Sequence, residues 1–136
     1  MKKIVTMMVV ALVAVSAWAA TFAWGAGSAK VAFDGTTITT ANGAIGYLVL
    51  LTGTSLEASV IGDAISAPTY VNSQPNTSSG LASNKGKIKG TYNSTDIANG
   101  QNYGMYITHT DADGATWYNF SSTVYTVTGL VDATSS

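Results

Sequence analysis

At 136 residues with a formal net charge of −1 at pH 7, the chain can build one domain with a buried core but not two. Its basic residues are six lysines with no arginine, which argues against a nucleic-acid partner. With no cysteine, a disulfide framework, a thiolate metal site and an acylated N-terminal cysteine are all excluded, so burial and hydrogen bonding must hold the fold.

Lys2 and Lys3 precede a largely apolar run from Ile4 to Val15, and Ala17-Trp18-Ala19 then places small residues at the two positions a signal peptidase reads. The run is shorter than the roughly 20 residues needed to cross a bilayer, so an N-terminal signal peptide over 1–19, cleaved after Ala19, is expected in preference to an anchor extended through Phe22 and Trp24. A type IV pilin leader fits poorly, because the small processing residue and acidic fifth position of that family do not follow the lysines. The domain is then 20–136, with four lysines and seven acids and no stable membrane span after cleavage. A secreted, cell-surface or periplasmic location follows, and the short lysine-led signal points to a bacterial source. The new N-terminal segment, ATFAW, is apolar; Phe22 and Trp24 are expected to fill the domain's own core, with pairing to another subunit's edge as the alternative.

Further along, Lys30–Thr39 sets β-prone residues on either side of Asp34-Gly35, a dipeptide suited to a tight hairpin. Ile45–Leu51 is a continuous apolar run of strand length, expected at the centre of a sheet and buried on both faces. Over Thr54–Ser66 the period changes: Leu56, Val60 and Ala64 lie four apart and Thr54 and Glu57 have capping-box spacing, which predicts one short amphipathic helix. The stretch 68–85 is turn-forming and polar and reads as a long surface loop. Lys85, Lys87 and Lys89 alternate with Gly86, Ile88 and Gly90, the pattern of a strand's solvent face or protected edge.

From Gly86 onward three β-rich segments follow. In NYGMYITHT the alternation puts Tyr103, Met105, Ile107 and His109 on one face, taken as the core, and Gly104, Tyr106, Thr108 and Thr110 on the other. Before it, Asp96-Ile97-Ala98-Asn99-Gly100-Gln101-Asn102-Tyr103 turns into an aromatic that begins an alternating strand. This stretch resembles the E–F corner of immunoglobulin and fibronectin type III domains, where a tyrosine at the start of strand F hydrogen-bonds back across the corner. The resemblance covers about thirty residues. It implies a mainly β, antiparallel Ig/fibronectin III-like β-sandwich in which Tyr103 is the corner tyrosine, Met105 and Ile107 are core residues and Asp111–Gly114 form the F–G loop. The chain departs from the pattern in having no cysteine pair, no identifiable strand C tryptophan and a helix after the apolar strand. The resemblance implies no activity.

The nine residues HTDADGATW, from His109 to Trp117, hold the only histidine. Asp111 and Asp113 are the only candidates for a metal site, in the pattern of a calcium loop, but the third ligand and closing glutamate are missing. A lone histidine cannot complete a zinc set, so no metal and no cofactor are expected, and Asp113-Gly114 reads as a turn between strands. No nucleophile elbow, paired glycosidase carboxylates or phosphate loop is present, and the chain is expected not to be an enzyme. What remains is an extracellular structural, adhesive or surface-interaction protein whose partners are a second copy, another extracellular protein or a polysaccharide. The alternative is a carbohydrate-binding module that stacks sugars on exposed aromatics, with Trp117, Tyr118, Tyr106 and Tyr92 as the candidate ligand-binding residues and Trp117 foremost. Asn76, Asn93 and Asn119 each begin an N-x-S/T triplet, which matters only in a glycosylating host.

Overall fold

The computed structural model describes residues 13–16, 19–54, 70–121 and 123–130. Its strands are β1 (Val13–Ser16), β2 (Ala19–Gly25), β3 (Ala32–Phe33), β4 (Thr36–Thr37), β5 (Ala44–Leu51), β6 (Asn72–Pro75), β7 (Lys89–Ser94), β8 (Asn102–Thr110), β9 (Thr116–Phe120) and β10 (Tyr125–Thr126). All pairings are antiparallel. One sheet has the order β1-β2-β7, a second the order β6-β5-β8 with β9 and β10 both on β8, and β3-β4 is a separate hairpin. The chain returning from β8 pairs first over Tyr106–Thr110 as β9 and then over Asn102–Tyr103 as β10. Between them Ser121 N donates to Met105 O at 2.9 Å.

Side-chain alternation then decides what each sheet buries. Ala20, Phe22 and Trp24 of β2, with Tyr92 of β7, meet Ala44 and Leu48 of β5 and Tyr103, Met105 and Ile107 of β8 in one buried cluster. Phe22 stands edge-on to Tyr92 at 5.8 Å and to Tyr103 at 5.1 Å, so one ring touches aromatics of both sheets. Aromatic pairs of this geometry add roughly 0.5–1.5 kcal/mol beyond the area they bury. A second, smaller cluster lies on the opposite face of the larger sheet: Val49, Leu51 and Tyr106, with Tyr47, Tyr118, Phe120 and Val124 against it. The apolar run 45–51 is thus the central strand, paired on both edges and contributing to both clusters, although Leu50 is exposed.

Trp24 occupies a slot made by two glycines. A β-carbon at Gly90, its register partner on β7, would fall 2.6 Å from the ring, and one at Gly46 on β5 would fall 3.4 Å from it. Its indole N–H donates to Asn72 Oδ1 at 3.0 Å, which ties the smaller sheet to the edge of the larger one. The hairpin at Asp34-Gly35 forms as the dipeptide predicts, with φ of 49° and 77° and Phe33 opposite Thr36.

One expectation changes, and two fall largely outside the described residues. No helix occurs among the described residues, and of the helix expected over 54–66 all but Thr54 lies outside them. Within the segment read as a loop over 68–85, Asn72–Pro75 forms a strand, paired with Leu48–Ile45 of β5. Its own side chains carry no apolar signal because the β5 backbone supplies the pairing; a proline at the end of an edge strand is compatible with that role. Asn76, the first residue of a potential glycosylation triplet, is buried: its Nδ2 donates to Ile38 O at 2.9 Å and Thr40 O at 3.2 Å, and its Oδ1 accepts from Ala44 N at 3.1 Å. Of the segment read as a signal peptide, residues 1–12, 17 and 18 lie outside the described residues, while Val13–Ser16 pairs with the start of β2.

The stretch that resembles an E–F corner is closed by Gln101. Its Oε1 accepts from the Tyr103 hydroxyl at 2.9 Å and from Ala98 N at 2.8 Å, and its Nε2 donates to Asp96 O at 2.8 Å. The tyrosine therefore reaches the corner backbone through an amide side chain. Burial, then the neighbouring Tyr92 hydroxyl and the Asp96 carboxylate, push the Tyr103 pKa up to about 12.

Candidate functional site

The stretch His109–Trp117 is the end of β8, a turn over 111–115 and the start of β9. The turn is built on one carboxylate. Asp111 Oδ1 accepts from Asp113 N at 2.9 Å and Ala115 N at 3.0 Å, and Oδ2 accepts from the Trp117 indole N–H at 2.7 Å. Backbone bonds from Asp111 N to Ala115 O and from Gly114 N to Asp111 O close the loop. The indole N–H, then the Ala115 amide, lead in holding the Asp111 carboxyl below its ordinary pKa. Both oxygens are turned onto the loop's own N–H groups, so the chemistry of Asp111 here is to fix a turn and to orient a tryptophan. Among the described residues, no group of three or more histidine, cysteine or carboxylate side chains could hold a metal.

Trp117 and His109 are cross-strand partners, and a residue remote in sequence, Phe33 on the β3-β4 hairpin, packs against both. The Phe33 ring is 4.8 Å from the His109 ring and 5.7 Å from that of Trp117. His109 Nδ1 lies 2.6 Å from Gly43 O; a carbonyl can only accept, so Nδ1 carries the proton and donates. Trp117 is 39 % exposed. A partly exposed aromatic held at its N–H and packed against a second ring suits stacking or apolar contact.

The other three candidates stand elsewhere. Tyr118 follows Trp117 on β9 and so points to the opposite face, where it packs, half-buried, in the second cluster. Tyr106 belongs to the same cluster and is only 1 % exposed; its hydroxyl is buried with no hydrogen-bond partner among the described residues. Burial first, then the Tyr47 and Tyr70 hydroxyls, push its pKa up to about 12. Tyr92 lies in the main core beside Phe22 and Tyr103. The four residues therefore do not share one platform.

Two tyrosines that the sequence reading left out complete the outer face. Tyr47 stacks on Tyr106 at 4.8 Å with an interplanar angle of 18°, and the exposed Tyr70 tilts against Tyr47 at 4.9 Å. Tyr47 was hidden inside a run read as core. Carrying the two-residue alternation through 45–51 would have set it apart, because Tyr47 and Val49 share a parity that Leu48 lacks. Phe33, by contrast, has no local signal for its place beside Trp117.

No protein-family model, curated protein or solved structure matches this chain.

Proposed function

We propose that this chain is an exported, non-enzymatic protein with a structural, adhesive or surface-interaction role, and that its contact surface is centred on Trp117. The observation that carries the proposal is the exposed Trp117, held by Asp111 at its N–H and packed against Phe33. An exposed large aromatic gains little for the fold by itself. One that is held rigid on a turn at the end of a sheet is placed to meet another surface. An Ig/fibronectin III-like sandwich is the architecture we infer. It is supported by the orders β2-β7 and β6-β5-β8-β9/β10, which, with the leader strand β1 left out, correspond to B-E and C′-C-F-G, and by the Tyr103 corner. In that frame the Trp117 turn is the F–G loop, a position from which such domains present contacts.

The second reading, a carbohydrate-binding module, is favoured by one further observation: Tyr70 and Tyr47 stand over Tyr106 on the outer face of the larger sheet, alongside Tyr118. Flat rings there would stack on sugars. Retention on insoluble polysaccharide and on whole cells, measured for the exported protein, Trp117→Ala and Tyr70→Ala, separates the two. Loss of cell binding with Trp117→Ala alone supports the first reading, and loss of polysaccharide retention with Tyr70→Ala supports the second. Equal retention of all three proteins refutes both placements.

A further inference from the structure

We infer that β2 is a self-association edge, uncovered when the leader is removed, and that its occupant is the β2 strand of a second copy. The inference rests on reading residues 1–19 as a cleaved leader. Cleavage after Ala19 removes β1, which among the described residues pairs with Ala19–Thr21 of β2. What remains, Ala20–Gly25, is hydrogen-bonded to β7 along one edge, from Ala20 opposite Ser94 to Gly25 opposite Lys89. Among the described residues no strand but β1 pairs with its other edge, which then presents a row of N–H and C=O groups.

Free edges are ordinarily blunted by charge, proline or irregularity. The other outer strands carry such devices. β6 is polar and ends in Pro75, β7 begins with the exposed Lys89, and the β9–β10 edge is broken at Ser121–Val124, where Ser121 Oγ accepts from Thr123 N at 3.0 Å. β2 carries neither charge nor proline. β1 already demonstrates that this edge accepts an antiparallel strand, with Ala14 opposite Ala20 and Val13 opposite Thr21.

A second copy of β2 fits that edge. Phe22 and Trp24 point into the core, which leaves Thr21 and Ala23 on the outer surface of the strand, both small and uncharged. Antiparallel pairing of β2 with itself is isologous and closes as a twofold dimer, so it ends at two copies and does not propagate into a fibre. It also sets the Lys89 end of one β7 level with the Asp96 end of the other. Three strand spacings, roughly 14 Å, separate them, beyond the Debye length of about 8 Å at physiological salt, so the association is expected to change little between low and high salt.

The test uses the full chain expressed in an exporting bacterium, with the intact mass of the exported product measured first and sedimentation velocity second. The expected result is a chain starting at Ala20 that sediments as a dimer. Ala23→Lys, or Thr21→Lys if the first variant folds poorly, raises the dissociation constant roughly tenfold or more, because like charges are brought together across the seam. Thr116→Lys adds the same charge to β9 and leaves the dimer intact. Hydrogen exchange of the peptide spanning 20–25 is slower in the dimer than in the Ala23→Lys protein. An uncleaved mass overturns the leader reading and the proposal with it. A correctly processed monomer, or a dimer indifferent to lysine at both 21 and 23, overturns the proposal while the leader reading stands.

Discussion

The tightest test of how the two sheets are fitted is Gly90→Ala. A β-carbon at Gly90 would stand 2.6 Å from Cε2, 2.7 Å from Nε1 and 2.8 Å from Cζ2 of Trp24. Ordinary contact begins near 3.4 Å, so the indole must retreat by roughly 0.8 Å, toward Gly46 on the facing sheet. The bond from its N–H to Asn72 Oδ1, now 3.0 Å, would lengthen past the useful range. Overpacking of this kind costs roughly 1–3 kcal/mol and the lost bond roughly 0.5–1.5, while the less flexible unfolded chain returns roughly 0.4–1. The expected net destabilisation is about 2 kcal/mol, a fall in Tm of roughly 10 °C for a domain this size.

Urea unfolding followed by circular dichroism measures the loss, and a double-mutant cycle with Trp24→Phe assigns it. Phenylalanine removes the indole nitrogen and the outer ring atoms that the new methyl meets. In that background Gly90→Ala should cost at least about 1 kcal/mol less than in the parent. Costs that add to within about 0.5 kcal/mol would refute the steric account, as would a Gly90→Ala protein as stable as the parent.

Asn76→Asp replaces an amide that donates to Ile38 O and Thr40 O with a carboxylate that repels them, and should cost about 3 kcal/mol at neutral pH. Because the folded state would favour the protonated acid, the loss should be smaller at pH 4 than at pH 7 in the same urea titration. Tyr103 and Tyr106, both raised to about 12 by burial, stabilise the fold fully below the ordinary tyrosine value of about 10. Stability should therefore hold to that pH and fall as it rises toward 12, and absorbance at 295 nm should show Tyr103 and Tyr106 ionising late, with Tyr125, also raised by burial, shifted in the same direction. Asp111 works in the opposite direction: its carboxyl is held low, so its support of the turn persists above the usual carboxylate range and disappears only as pH falls through the depressed value. The Trp117 indole N–H resonance should report that loss on acidification, and Asp111→Ala should give the acid-form signal at every pH.

What the sequence disclosed was local. Asp34-Gly35 specifies its hairpin by the conformations the dipeptide accepts, and the alternation of NYGMYITHT identifies Tyr103, Met105 and Ile107 as core without reference to any other strand. What it concealed depended on pairings across long separations. Trp24 is seated by Gly46, Asn72 and Gly90, none within twenty residues of it, and Asn76 reads only as the start of an N-x-S/T triplet until its carbonyl partners at Ile38 and Thr40 are brought over it. β6 could not be read because an edge strand borrows its order from the neighbouring backbone. Tyr92 was legible in part: it shares parity with Ile88 and Gly90 and is buried with Ile88, so its inward direction could have been inferred from the Lys-Ile-Lys alternation.

The Trp117 turn joins both kinds of information. Asp111 reaches Trp117 over six residues, a span that a turn with aspartate at its start predicts; from another part of the chain Gly43 O bonds His109 and Phe33 packs against both His109 and the indole. Removal of Phe33 would leave the turn hydrogen bonds intact but the ring unsupported, whereas removal of Asp111 would do the reverse. If the rigidity of Trp117 is what serves contact, both changes should weaken binding although neither residue need touch the partner. A flexible but exposed tryptophan would then be a poorer contact than a fixed one, because its ordering entropy must be lost on association.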